Sequence, residues 1–241
     1  MDNQQLRPLS EKIMLLAKNA YYGDGTLWKH PECKNYKVIY TSTTPELLEA
    51  KRQICPEIFK TGVKFQDMTK HSSTRYPNAK PLYRLASTVN SLITDVKNTP
   101  NSIMLSSLTL EDLGLWYLDD GSTILRKDSK YGYYRSFLYI GNACSTEDET
   151  LIFKSTLSKI FRTSSDKVGV VKRHTPFTSD KNKVWVIPNA IAKEILLEAS
   201  RYNVLKHKFP QWVKFRDHSF GEVGLQGKEA RSAAIASEET I

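Results

Sequence analysis

The sequence predicts an α+β protein made of two similar halves, and two observations support that prediction. The periodicity of apolar residues gives each half the same order of elements: helix, two strands, helix, two strands, helix. An Asp-Gly turn also closes the first helix of each half, at Asp24-Gly25 and Asp120-Gly121, 96 residues apart. We therefore expect an internal duplication, with halves at 1–100 and 101–217 and a mobile tail at 218–241.

The elements of the first half follow from spacing and capping. Apolar residues at helical spacing predict its helices, and runs of β-branched and aromatic residues predict its strands. Ser10 and Thr44 are the candidate caps, and Pro45 favours a helix start. The predicted elements are helices from Ser10 to the Gly23 turn, over 44–54 and over 87–97, with strands at 36–41, 63–68 and 80–85.

The second half begins after turn-forming residues at 98–102 and repeats this order. Thr146 and Glu149 have the spacing of a capping box, which predicts the start of its middle helix. The predicted elements are helices over 110–118, 151–161 and 190–200 and strands at 122–126, 135–141, 168–172 and 183–187.

Composition excludes several classes of protein. With 40% hydrophobic and 25% charged residues, the chain is neither disordered nor collagen-like. Its three cysteines lack zinc-ligand spacing and are too few for a disulfide scaffold. The sequence shows no signal peptide and no apolar run long enough for a membrane span, so we expect a soluble intracellular protein with no membrane partner.

The charge points to a polyanionic partner. The whole chain has a net charge of +9. Residues 1–217 contain 33 basic and 22 acidic residues, or +11, because the tail is acidic. A basic excess of this size favours binding to nucleic acid but says nothing about the fold.

The two Asp-Gly turns each follow a mostly apolar helix. An Asp at that position is locally unfavourable, because the carboxyl end of a helix is already negative. A single Asp-Gly pair is usually just a turn. Two of them at the same place in a duplication would bring Asp24 and Asp120 together if the helices pack side by side. Facing carboxylates are best stabilised by a divalent cation with hard oxygen ligands.

These segments, Ala17-Lys-Asn-Ala-Tyr-Tyr-Gly-Asp-Gly25 and Leu113-Gly-Leu-Trp-Tyr-Leu-Asp-Asp-Gly121, resemble the motifs of the LAGLIDADG homing endonucleases in their single-chain, two-motif form. The second segment is the more specific match, since Lys18 and Tyr22 depart from the motif in the first. The resemblance covers about residues 8–215. It implies two pseudo-symmetric αββαββα halves, antiparallel sheets that form a DNA-binding saddle, and motif helices at the interface.

The resemblance also implies an activity: site-specific, double-strand DNA cleavage by a monomer, on a long asymmetric target, as in intron homing. One phosphodiester per strand would be hydrolysed with Mg²⁺, or with Mn²⁺ or Ca²⁺. Asp24 and Asp120 would bind the metal, helped by the backbone carbonyls of Gly23 and Asp119. We expect the Asp119 side chain to be exposed, or the residue to supply only its carbonyl.

The family also uses basic residues close to the metal. Lys80 and Lys183, at the start of the last strand in each half, are the candidates here. Each could equally be a DNA-facing or solvated lysine. Gln53 and Gln66 are weaker candidates for polar groups around the site.

The predicted DNA-binding residues are basic or polar side chains expected on the outward faces of the sheets, because such groups contact phosphates and base edges. A solvated sheet face is the alternative for any one of them. The candidates are Lys29, His30, Lys34, Lys37, Lys64, Gln66, Lys70, Arg75, Arg126, Lys127, Lys130, Tyr133, Arg135, Lys172, Arg173 and Lys181.

Two other functions stay open at this stage. One is a nucleic-acid-binding protein that does not cleave, such as an intron RNA maturase or a DNA-binding regulator on the same scaffold. The other is an unrelated basic α/β domain with two chance Asp-Gly turns. The presence of both motif aspartates favours the enzyme.

Overall fold

The computed structural model describes residues 7–66, 81–126, 133–141, 143–172 and 183–205; at 123–126, 133–135 and 172 it describes the backbone only. The first half consists of two helices and four strands followed by a third helix. Its elements are α1 (Leu9–Tyr22), β1 (Gly25–Trp28), β2 (Lys37–Ser42), α2 (Pro45–Ile54), β3 (Lys64–Gln66), β4 (Leu82–Ala86) and α3 (Ser91–Asn98).

A short additional helix connects the halves, and the second half then repeats the order of the first. The elements are α4 (Asn101–Ser106), α5 (Leu110–Asp120), β5 (Gly121–Arg126), β6 (Tyr133–Tyr139), α6 (Glu147–Ile160), β7 (Gly169–Lys172), β8 (Lys183–Ile187) and α7 (Asn189–Ser200). A 3₁₀ turn, Ser165–Lys167, precedes β7. The predicted α+β class and the duplicated order are confirmed.

Both sheets are antiparallel and have equivalent strand orders, β1-β2-β4-β3 and β5-β6-β8-β7. The registers are equivalent as well: Gly25 pairs with Tyr40 in the first sheet, and Gly121 pairs with Leu138 in the second. In each half the first strand therefore begins at the glycine of the Asp-Gly turn. The carboxyl end of each motif helix leads directly into the edge strand of its sheet.

One apolar core serves both halves. Leu16 and Ala17 of α1 and Leu113 and Leu118 of α5 are fully buried in the same cluster of side chains. α5 packs closely on α7, where a Cβ added at Gly114 would lie only 3.0 Å from Glu198 Cγ. The two motif helices thus form the centre of the molecule, with a sheet on each side.

Several predicted elements differ from the structure; the third helix, for example, was predicted from residue 87 and starts at Ser91. Ser10 does not cap α1, which starts one residue earlier, after Pro8. The strand β1 was not predicted, because its four residues are too few to show strand periodicity. The turn-forming residues at 98–102 include the start of α4, for which Pro100 is the N-cap. The Thr146–Glu149 capping box is present, but α6 begins at once within it.

Asn101 on α4 ties the halves together. Its amide nitrogen donates to the carbonyl oxygen of Ala143 and to Glu149 Oε1, both at 2.7 Å, and its amide oxygen accepts from Tyr22 Oη at 3.1 Å. Burial raises the pKa of Tyr22, which keeps this phenol protonated and able to donate. The motif helix α1 is thereby anchored to the second half.

Candidate active site and sheet surfaces

The carboxyl ends of the two motif helices meet, as predicted. The backbone amide of Asp24 donates to Asp119 Oδ2 at 3.2 Å. A Cβ added at Gly23 would lie 2.3 Å from the same oxygen, so only glycine allows this approach. Asp120 is the next residue of α5. Both motif aspartates therefore lie where the two helices end together.

The two candidate metal ligands are accessible to solvent. Asp24 is exposed and Asp120 is partly exposed. Asp120 Oδ2 accepts from Trp116 Nε1, one turn earlier on α5, at 3.2 Å. Trp116 in turn stacks on Tyr22 of α1, with ring centroids 5.0 Å apart. Tyr22, a departure from the motif, thus contributes to the packing that holds the two helices together.

Asp119 contradicts the expectation of an exposed side chain. Its side chain is fully buried and forms an ion pair with Lys51 of α2, whose Nζ lies 2.6 Å from Oδ1 and 2.8 Å from Oδ2. Asn19 Nδ2 donates to Oδ2 at 3.0 Å. The reason is packing: position 119 faces the other motif helix, so its side chain points into the interface and needs a counter-charge there.

Lys51 was not among the predicted site residues. It is 1% exposed, and its Nζ lies 4.0 Å from the ring centroid of Tyr40, a favourable position for a cation. Burial, followed by the charge of Asp119, raises the pKa of Tyr40 well above its ordinary value. Its hydroxyl donates to the carbonyl oxygen of Leu16 at 2.5 Å. The sequence did contain a signal, because Lys51 shares the apolar helical spacing of Leu48.

The structure describes one of the two lysines that were predicted to lie close to the metal. Lys183 is buried and donates to the carbonyl oxygen of Thr146 at 2.9 Å and to Thr150 Oγ1 at 2.6 Å, which ties β8 to the first turns of α6. Lys80 is outside the described residues. Gln53 is exposed on α2, away from the buried face that carries Lys51.

The open face of the first sheet is basic. The register places Lys64, Arg84 and Thr41 side by side in three neighbouring strands, and Lys37 beside Trp28. Lys64 and Arg84 are exposed. The Lys37 ammonium lies 4.7 Å from the centroid of the Trp28 ring. β1, β2, β3 and β4 contain no Asp or Glu, so positive charge on this face is not neutralised within the sheet.

Four other predicted DNA-binding residues of the first half are exposed beside this face or lie on it. Lys29, His30 and Lys34 are exposed between β1 and β2, and Gln66 lies on the same face of β3 as Lys64. Arg84 was missed, although it alternates with the buried Leu85 as an outward-facing residue should.

In the second sheet the backbone positions of several candidates are described. Arg126 pairs with Tyr133, Arg135 with Ile124, and Lys172 with Lys183. Other predicted contacts lie outside the described residues: Lys70, Arg75, Lys127, Lys130, Arg173 and Lys181.

Comparison with solved structures gives the fold its name. The homing endonuclease I-WcaI, solved bound to its DNA recognition sequence, superposes with a TM-score of 0.58 at 14% identity, over 82% of this chain and 84% of that one. This chain has the LAGLIDADG fold. The N-terminal LAGLIDADG domain of DUF199/WhiA (TM-score 0.46, 11% identity, 82% and 84% of the chains) and I-GzeII with its DNA target (0.42, 9%, 89% and 94%) are more distant. No family model and no curated protein matches the sequence.

The joined ends of α1 and α5 offer oxygen donors for a divalent cation. The helix ends present two carboxylates, and the backbone carbonyls of a last helical turn point the same way, so the donors are the hard oxygens that Mg²⁺ and Ca²⁺ prefer. Among the described residues, no cluster of three or more His, Cys, Asp or Glu forms a complete metal site. No helix in this part of the chain is long and apolar enough to span a bilayer.

Proposed function

We propose that this chain is a site-specific, divalent-metal-dependent endonuclease that cleaves both strands of a long asymmetric DNA target. The observation that carries the proposal is the position of two solvent-accessible aspartates, Asp24 and Asp120, at the ends of α1 and α5, where the Asp24 amide contacts Asp119. Because one chain supplies both aspartates and both sheets, we propose that it acts as a monomer.

Asp24 and Asp120 would hold the metal, with the backbone carbonyls of Gly23 and Asp119 as further ligands. The fit rests on the donor set, which is carboxylate and carbonyl oxygen at an accessible position. When bound, the cation would supply an activated water and neutralise charge on the attacking and leaving oxygens. The Asp119 carboxylate is buried against Lys51, which supports assigning the carboxylate ligands to Asp24 and Asp120 instead.

The chain itself would bind and orient the duplex. Lys64, Arg84 and Lys37 on the open face of the first sheet can contact phosphates, and Arg84 can also read a guanine through two hydrogen bonds. Each sheet would follow about one turn of duplex, roughly 34 Å along the helix axis. We propose the second sheet for the other half of the target, through Arg126, Tyr133 and Arg135. If the protein were a maturase, its partner would be intron RNA, and the test below distinguishes that function from DNA cleavage.

The test starts with selection of a cleavage site from a randomised DNA library in Mg²⁺. On the selected site, Asp24→Asn and Asp120→Asn should each lower the rate of double-strand cleavage by about a hundredfold or more, because metal-bound oxygens are lost. DNA affinity should stay within about threefold of wild type, since neither carboxylate attracts the phosphates. Asp95→Asn, an exposed acid on α3, is the control and should cleave normally.

Two results would overturn the proposal. Wild-type cleavage rates in either motif variant would remove the metal assignment. A wild-type protein that binds structured RNA tightly, yet cuts no DNA in the library with Mg²⁺ or Mn²⁺, would be a maturase or another non-cleaving binder.

A further inference from the structure

The two motif aspartates are held in different ways. Asp120 is the last residue of α5, so the helix itself fixes its backbone. α1 ends at Tyr22, and Asp24 lies two residues beyond it, past the helix end. The Asp24 side chain therefore lies beyond α1, although the Gly23 N–H still donates to the carbonyl oxygen of Asn19 at 2.8 Å, and a contact from outside the helix can help to fix its direction.

That contact comes from the other half of the molecule. Asp119 Oδ2 accepts the backbone N–H of Asp24 at 3.2 Å and packs against the Cα of Gly23 so closely that a methyl group would not fit. We propose that Asp119 is a positioning residue, held by Lys51, that fixes the backbone at Gly23-Asp24 and so orients the Asp24 carboxylate. This inference rests on the proposed function, because it assigns the orientation to a metal-binding aspartate.

The surroundings of the Asp119 carboxylate fit this positioning role, and they leave that side chain no direct contact with metal or substrate. Both carboxylate oxygens accept hydrogen bonds from Lys51 Nζ, and Oδ2 also accepts from Asn19 Nδ2. The side chain is fully buried, so it has no access to a substrate. Lys51 is itself confined by Tyr40 on its own half. A buried carboxylate held by these three hydrogen bonds is a rigid acceptor for the Asp24 amide.

The ion pair between Lys51 and Asp119 has no equivalent at the matching positions of the other half. Counting back one residue from Asp24 and Asp120 makes Gly23 the equivalent of Asp119. Counting seven residues from the caps Thr44 and Thr146 makes Phe153 the equivalent of Lys51. Phe153 is buried and packs edge-on against Trp116 with centroids 6.1 Å apart. The second half therefore has the acid and lacks the lysine, and only the pairing across the interface completes the contact.

Two double variants distinguish the effect of the acceptor oxygen at position 119 from the effect of the ion pair with Lys51. Lys51→Met with Asp119→Leu replaces the pair by apolar side chains of similar shape but leaves no acceptor for the Asp24 amide. Lys51→Met with Asp119→Asn also removes both charges, yet retains a carbonyl oxygen at that place. Removing both partners avoids leaving one buried charge unpaired, so both proteins should fold. Circular dichroism and thermal unfolding establish the fold before any comparison.

The first readout is amide hydrogen exchange at Asp24, which does not depend on cleavage. Exchange should be about tenfold or more faster in the Leu double variant and close to wild type in the Asn double variant. The second is single-turnover cleavage of the selected site. The Leu double variant should lose about 10- to 100-fold in the cleavage rate constant, because small displacements of a reacting group are costly, while its Kd for DNA stays within about twofold.

Each result of the exchange and cleavage measurements either supports or overturns the role of Asp119. Recovery of both exchange protection and cleavage rate in the Asn double variant supports the inference. A Leu double variant that cleaves at the wild-type rate overturns it, and so does an equal loss in both double variants, or a loss confined to DNA affinity. If the wild-type protein cuts no DNA, the proposed function fails on that result alone. Amide exchange tests the inference separately: an exchange rate at Asp24 that is the same in the Leu double variant as in wild type would show that Asp119 does not fix this amide.

Discussion

Replacing Lys51 by Met should destabilise the protein more than any other lysine substitution among the described residues. Lys51 is 1% exposed and the Asp119 side chain fully buried, with Nζ–O distances of 2.6 and 2.8 Å. Removing one member of such a pair leaves an uncompensated buried charge, which costs about 3–5 kcal/mol. The favourable position of Nζ over the Tyr40 ring is lost as well, and adds to this cost.

Urea unfolding at pH 7, followed by tryptophan fluorescence, measures this cost directly. Lys159→Met, an exposed lysine on α6, is the matched control and should change the free energy of unfolding by less than about 0.5 kcal/mol. Lys51→Met combined with Asp119→Leu should recover most of the loss, because replacing both members of a buried pair is close to neutral. A single variant that loses under 1 kcal/mol, or a double variant no more stable than the single, would refute the reasoning.

Three further predictions follow from the structure. Gly23→Ala should cost about 1–3 kcal/mol in urea unfolding, since its Cβ would lie 2.3 Å from a carboxylate oxygen, whereas Gly62→Ala, with nothing within 4 Å, should cost nothing. Burial raises the pKa of Glu149, but hydrogen bonds to its carboxylate outweigh this and lower it to about 2. The ionised Glu149 carboxylate therefore stabilises the folded protein fully above its ordinary pKa near 4.5, and this stabilisation is lost as the pH falls toward 2. Glu149→Gln should lower the free energy of unfolding at pH 7 and lower it progressively less in acid. A difference in free energy of unfolding that stays constant with pH would contradict this. Arg84→Ala should weaken binding to duplex DNA and reduce the slope of log K against log salt by about one, measured by fluorescence anisotropy; an unchanged slope would exclude a phosphate contact.

The sequence carried enough information for the duplication and for the meeting of the motif ends. An apolar helix followed by Asp-Gly is a local pattern, and its recurrence 96 residues later requires no knowledge of packing. β1 was missed because four residues, alternately half-buried and exposed, are too short for periodicity to show. α4 was missed because Pro and Asn favour turns as well as helix starts.

The ion pair could not be predicted for a different reason. Lys51 and Asp119 are 68 residues apart, and each looked ordinary locally: a lysine on a helix and an acid beside the motif aspartate. Only the approach of α2 and α5 to the same side of α1 brings them together. The expectation of an exposed Asp119 side chain was wrong because it treated the helix end as solvated, whereas this side chain packs against Gly23 of the other motif helix. That the residue supplies only its carbonyl to a metal stays a prediction.

The pairing of Gly23 with Asp119 also bears on why one chain would contain two unequal motifs. At a pseudo-twofold interface, equivalent positions face each other, so identical halves would place Asp against Asp or Gly against Gly. Two buried carboxylates would repel, and two glycines would offer no acceptor for the amide that follows them. A single chain escapes this restriction, because each half can mutate separately. Asp against Gly, with the lysine supplied from the glycine's own half, satisfies both the packing and the charge at this interface. The departure of the first motif from the second is thus accounted for, at this position, by the contact it makes with its partner.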